Sequence, residues 1–144
     1  KGVRKQQSLI KSVTHADGTV ETPQEGSSTR VIDESVADQV KNAMESVAEG
    51  YSKVVNVKGY RIAAKTGTAE VAGSDGRLTS IVADFAGMIP ADNPRFAITV
   101  IMKDPQGTYG GMTAGPVFAK IGEFLMQKYN VPTSSPRNDA IAVD

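Results

Sequence analysis

The chain has 144 residues, 40% hydrophobic and 22% charged, a profile that fits one globular domain with a single core and excludes a disordered chain. Lys plus Arg equals Asp plus Glu at 16 each, so no field of one sign is available to gather nucleic acid or an anionic membrane. The absence of cysteine removes disulfides, thiolate nucleophiles and sulfur-rich zinc sites, and apolar runs such as Ile98 to Met102 are far too short to span a bilayer.

The opening Lys1-Gly2-Val3-Arg4-Lys5 carries neither an initiator Met nor a signal peptide and reads as the middle of a longer protein. Leu9 to Thr14, then Asp17-Gly18 and Thr19-Val20, predicts a short hairpin, because Asp-Gly supplies the positive backbone angles of a tight turn. Pro23 to Thr29 is a polar connector. A helix follows from Asp33: Asp33 caps it, Glu34 suits the positive end of its dipole, and Val36, Val40, Ala43, Met44 and Val47 recur at helical spacing up to Gly50.

Three strands are predicted next, over Arg61 to Thr66, Ile81 to Ile89 and Phe96 to Met102. The turn-forming Pro90-Ala91-Asp92-Asn93-Pro94 pairs the second and third antiparallel, and Ala72 to Leu78 suits a mobile loop beside a site. A last helix has Pro116 near its first turn and an apolar stripe of Val117, Phe118, Ile121, Phe124, Leu125 and Tyr129, which must lie on the sheet. The expected fold class is α+β, an antiparallel sheet flanked by helices over residues 1–131, with a solvated tail over 132–144.

Chemistry concentrates at Lys65-Thr66-Gly67-Thr68, at the end of a strand-like run. Lys-Thr-Gly alone arises by chance in a chain this long with odds of roughly a few per cent. Its logic is nevertheless specific, since serine acyl-transfer enzymes combine it with Ser-x-x-Lys and Ser-Asp-Asn type elements. A lysine draws an anionic substrate, the two threonine hydroxyls bond a carboxylate, and the Gly67 gap lets an extended peptide add to the strand edge. A backbone N–H just beyond it faces a developing oxyanion.

Other residues favour structural readings. Ser8-Leu9-Ile10-Lys11 satisfies Ser-x-x-Lys literally, but it falls in a β-patterned run, whereas the reaction needs both side chains on one helical face. No Ser-x-Asn triplet exists in the chain. His15, the single histidine, is a turn residue rather than part of a triad, and Asp33 with Glu34 is a capping pair rather than a carboxylate dyad. Gly107 to Gly111 lacks the Gly-Lys-Ser/Thr ending of a phosphate loop. Asp84, inside an apolar run, is either a buried, paired acid or one that faces the loop side.

Gly59 to Glu70, containing Lys65-Thr66-Gly67-Thr68, resembles the third-motif strand of class B penicillin-binding proteins, and Phe85-Ala86-Gly87-Met88-Ile89-Pro90-Ala91-Asp92-Asn93-Pro94 is similar to the strands and turn that follow it. The likeness extends to Asp17-Gly18-Thr19, Arg30-Val31-Ile32 and Ala114-Gly115-Pro116-Val117-Phe118, in the right order, and is closest to division-type enzymes of Gram-positive, actinobacterial cells. The resemblance implies part of a transpeptidase domain with a serine β-lactamase-like fold. That enzyme cross-links peptidoglycan stem peptides at the extracytoplasmic face of the membrane, is acylated by β-lactams and needs no cofactor. It further implies that Lys65 aids proton relay, that Thr66 and Thr68 hold the terminal carboxylate, that Gly67 must stay small, and that the Thr68 N–H completes the oxyanion hole. The nucleophile and the Ser-x-Asn element would belong to a missing N-terminal portion, so this chain alone is expected to be inactive. The strand Phe96 to Met102 would then present an unpaired edge, open to that portion or to self-association. The alternatives are a non-catalytic binding module and a serine β-lactamase or carboxypeptidase relative.

Overall fold

The structure, a computed structural model, describes residues 2–23, 26–107 and 109–138. The chain divides into two compact units, Lys1–Gln39 and Val40–Asp144.

In the first unit, β1 (Val3–Lys5) pairs antiparallel with β4 (Ser28–Arg30), and β2 (Val13–Thr14) pairs with β3 (Val20–Glu21). The expected Asp-Gly turn closes the second pair: Gly18 takes φ +85°, and the Asp17 carboxylate accepts the Thr19 N–H at 2.9 Å and its hydroxyl at 2.7 Å. These hydrogen bonds from Thr19 hold the Asp17 carboxyl below its ordinary value. Every strand residue of this unit is exposed, as is Leu9, so the pairs rest on main-chain hydrogen bonds and no core of their own. Gln24 and Glu25 of the predicted connector lie outside the described residues.

Helix α1 (Glu34–Gly50) begins where the sequence places it, with the Asp33 carbonyl accepting the Ala37 N–H at 3.0 Å. Its buried face is not the predicted one. Val36 and Val40 are exposed, as is Ala43, whereas Glu45, Ser46 and Ala48 are buried. The physical reason is a charge cluster: Arg61 Nη2 lies 2.7 Å from Glu45 Oε2, and Arg137 Nη1 lies 2.9 Å from Glu49 Oε1. Pairing of a buried carboxylate outweighs the burial of a few methyl groups, because an unpaired charge is the costlier thing to leave inside.

The second unit holds a sheet in the order β5-β6-β7, all antiparallel, built from β5 (Ala63–Ala72), β6 (Leu78–Ile89) and β7 (Phe96–Lys103). The predicted loop at Ala72 to Leu78 is mostly a tight β5–β6 turn, in which the Gly73 N–H meets the Arg77 carbonyl at 2.7 Å and Gly76 takes φ +77°. The β6–β7 turn falls at Pro90 to Pro94 as expected.

Helix α2 (Gly110–Lys128) covers one face of this sheet. It starts earlier than predicted, which leaves Pro116 inside the helix rather than at its first turn. Its buried residues are Gly110, Gly111, Ala114, Gly115, Phe118, Ala119, Gly122 and Met126, while Ile121, Phe124 and Tyr129 of the predicted stripe are exposed. Small residues let the helix come close, and Phe118 then reaches Phe85 of β6 at a 5.0 Å ring separation. Phe85 and Phe118 are wholly buried, each contributing about 2–3 kcal/mol of apolar burial.

Of the stretch expected as a solvated tail, 133–138 are tied to the domain. Ser134 Oγ donates to Asp92 at 2.7 Å, the Ser135 N–H donates to the same carboxylate at 2.9 Å, and Arg137 reaches the Asn42 carbonyl at 2.8 Å. Burial pushes the Asp92 carboxyl up, but these two bonds, its own backbone N–H and the nearby Arg61 charge together outweigh it and hold the group below its ordinary value. Residues 139–144 of that stretch lie outside the described residues.

Candidate active site

Lys65, Thr66, Gly67 and Thr68 lie together on β5, an edge strand that pairs with β6 and with no second strand among the described residues. The strand runs on past the motif to Ala72, beyond the predicted end at Thr66. Its alternation divides the four residues between the two faces of the sheet. Thr66 stands opposite Phe85, whose ring packs on α2, so Thr66 and Thr68 belong to the helix-covered face. Lys65 and Gly67 belong to the other, where Gly67 stands opposite Asp84.

Each side chain has a defined setting. Lys65 is exposed, and its Nζ donates to the Thr66 carbonyl at 2.7 Å, with Thr66 Oγ1 at 3.5 Å. Thr68 Oγ1 accepts the Gly110 N–H at 3.3 Å, which ties the motif to the first turn of α2. A Cβ on Gly110 would overlap the carbonyls of Gly67 and Asp84, so this turn rests main chain to main chain on that residue pair. Gly67 leaves a real gap: a Cβ there would lie 2.6 Å from Asp84 Oδ1 and 2.7 Å from its Cγ. The side chain of Asp84 fills the space that Gly67 leaves empty.

Neither predicted setting for Asp84 describes it fully. It is half-buried and, among the described residues, forms no hydrogen bond or ion pair. Its cross-strand neighbours are Gly67 and Ile101, and neither has a side-chain donor. Gly110 and Asp84 are the two site residues the sequence pattern does not single out as such. Only their registers, opposite Gly67 or beneath it, reveal them.

The residues set aside keep structural roles. Ser8 and Lys11 are exposed and lie in irregular chain, with Ser8 Oγ bonded to the Ile10 carbonyl at 2.9 Å. His15 faces Glu21 at 3.4 Å across the β2–β3 pair. Gly107 takes φ +125° ahead of α2, and Thr108 lies outside the described residues. Among the described residues no helix is long and apolar enough to cross a membrane.

A Lys-Thr-Gly-Thr strand on an antiparallel sheet backed by helix α2 has known counterparts. Residues 1–123 match the penicillin binding protein transpeptidase domain, and the chain belongs to that family. It is 44% identical over 71% of its length to the peptidoglycan D,D-transpeptidase FtsI of Escherichia coli, covering 18% of that protein. It is 35% identical over 92% of its length to penicillin-binding protein PbpB of Mycolicibacterium smegmatis, covering 23% of it. The chain thus spans about a fifth of the length of these curated relatives.

Among solved structures, a peptidoglycan synthetase from Bifidobacterium adolescentis superposes with a TM-score of 0.89 at 66% identity, over 99% of this chain and 26% of that one. Penicillin binding protein 3 from Mycobacterium tuberculosis, complexed with ampicillin, gives 0.81 at 30% identity, over 96% and 34%.

Proposed function

We propose that this chain supplies the Lys-Thr-Gly wall of a peptidoglycan D,D-transpeptidase, which cross-links cell-wall stem peptides by serine acyl transfer and is acylated by β-lactams. The observation that carries the reading is the open edge of β5 at Lys65 to Thr68, in a chain of the transpeptidase family. An extended peptide adds to that edge through main-chain hydrogen bonds. Its terminal carboxylate meets the Lys65 ammonium and the hydroxyls of Thr66 and Thr68, all within reach because the edge is where the two faces of the strand meet. The Thr68 N–H donates to the oxyanion that forms as the carbonyl is attacked.

The serine nucleophile comes from outside this sequence. Ser8 is set in irregular chain, and there is no Ser-x-Asn triplet, so the chain by itself does not turn over substrate. Sheet edge β7 pairs only with β6 among the described residues and is where the remainder of the domain, or a second copy of the chain, adds. The enzyme works at the extracytoplasmic face of the membrane, where its peptidoglycan substrate lies.

Fluorescent penicillin labelling of a complete domain carrying this sequence tests the reading. Covalent label that survives denaturation is expected; its absence would leave a binding module with a transpeptidase-like sheet.

A further inference from the structure

The Asp84 carboxylate occupies the gap that the motif glycine leaves in the site wall. Asp84 stands directly opposite Gly67, its carboxylate lying where a Gly67 side chain would be, on the same face as Lys65. It is half-buried and has no partner among the described residues. An ionised carboxylate is an acceptor only, so a partly desolvated one lacking a donor calls for an N–H from whatever lies above it.

The charge count at the wall sharpens this. Without Asp84 this face would carry two positive charges, Lys65 on β5 and Lys103 on β7, and attract anions without discrimination. Asp84, beside Gly67 and diagonal to both lysines, is the one acid on the face and offsets the Lys65 charge at the β5 wall. One substrate carboxylate is still held by the hydroxyls and the ammonium, but a second meets a like charge well inside a Debye length.

We infer that Asp84 is a specificity-determining residue. It selects, for the transpeptidase site, peptides and β-lactams that present N–H donors and not a second carboxylate above the Gly67 gap. This rests on the acyl-transfer reading of the same wall.

The test uses a complete domain carrying this sequence and three penicillins that share a nucleus: benzylpenicillin, its α-amino analogue ampicillin and its α-carboxy analogue carbenicillin. Second-order acylation rates are measured at low salt. The wild-type protein reacts faster with ampicillin than with carbenicillin, and Asp84→Asn, which keeps shape and removes charge, narrows that ratio by roughly 3- to 10-fold. Asp84→Ser narrows it likewise, and raising the ionic strength narrows it in the wild type with no substitution at all. A merely structural role for Asp84 would slow all three drugs together and leave the ratio alone. The inference is overturned if the ratio is unchanged in both variants, or if it is independent of salt in the wild type. If none of the three drugs acylates the wild type, the acyl-transfer reading itself falls, and this inference falls with it.

Discussion

Arg61 grips Glu45 through two nitrogens, Nε at 2.8 Å and Nη2 at 2.7 Å from the same oxygen, and Glu45 is only 1% exposed. The pair fixes which side of α1 faces the domain. Arg61→Met would leave a buried carboxylate with Arg137 as its remaining cation, and is expected to destabilise by about 3 kcal/mol or more. Urea unfolding of the complete domain measures this; a loss below about 1 kcal/mol would show that Arg137 alone compensates the charge.

Gly67→Ala drives a methyl into the Asp84 carboxylate. The expected loss of stability is about 1–3 kcal/mol, as for other overpacked sites. Combining it with Asp84→Ala should recover most of that loss, and a double-mutant cycle reads the coupling directly. Independent, additive effects would mean that the two residues do not share this space.

On the proposed role of Lys65, Lys65→Ala should lower the rate of penicillin acylation by roughly 100-fold or more, because a proton carrier and a positive charge would be removed from the wall. Because Lys65 is exposed, the melting temperature should barely move. Rates within a few-fold of wild type would remove Lys65 from the chemistry.

Against burial, which pushes it up, the Asp92 carboxyl is held below its ordinary value by Ser134, Ser135, its own backbone N–H and the Arg61 charge together. A depressed carboxyl contributes stability that is complete above its unfolded value, near 3.8, and fades as pH falls through its lower folded value. Backbone amides around 133–138 should therefore lose protection from hydrogen exchange only below about pH 4. In Asp92→Asn that acid step should vanish, with protection at neutral pH already reduced; an unaltered acid step would assign it to another group.

Among the described residues β7 pairs only with β6, and Ile101 of this edge strand, on the face it shares with Asp84, is 68% exposed. Size-exclusion chromatography with light scattering should find the chain on its own self-associated, and Ile101→Lys, a charge placed on an open edge, should shift it toward monomer. A compact monomer of the unmodified chain would count against association through this edge.

Much of the architecture is legible in the sequence, because turn chemistry and period are local. Asp17-Gly18, Pro90 to Pro94 and the strand expected over Phe96 to Met102 fall within a residue or two of their expected places, whereas β5 runs on to Ala72 and β6 starts at Leu78 rather than Ile81. What fails is the direction of helix faces. Val36, Val40 and Ala43 of α1 look like part of a core stripe, yet they are exposed, and a carboxylate paired with two distant arginines, Arg61 and Arg137, takes the most buried place while Met44 and Val47 are partly buried beside it. Glycines carry no hydrophobic signal, so the side of α2 that docks is invisible beside Phe124 and Tyr129. At the candidate site, Lys65 to Thr68 stand out by motif, but Asp84 and Gly110 join them only through register and close approach, which one sequence does not display.

Gly110 has no side chain between its own backbone and the carbonyls of Gly67 and Asp84. Such a seat contains nothing compressible, since a rotamer change cannot absorb a displacement where there is no rotamer. Any repacking that tilts α2, even from the buried positions Phe118 or Met126 several turns away, must be taken up by the strand that carries Lys65 to Thr68. On the proposed function, altered antibiotic sensitivity would then originate in residues that no bound penicillin would ever touch.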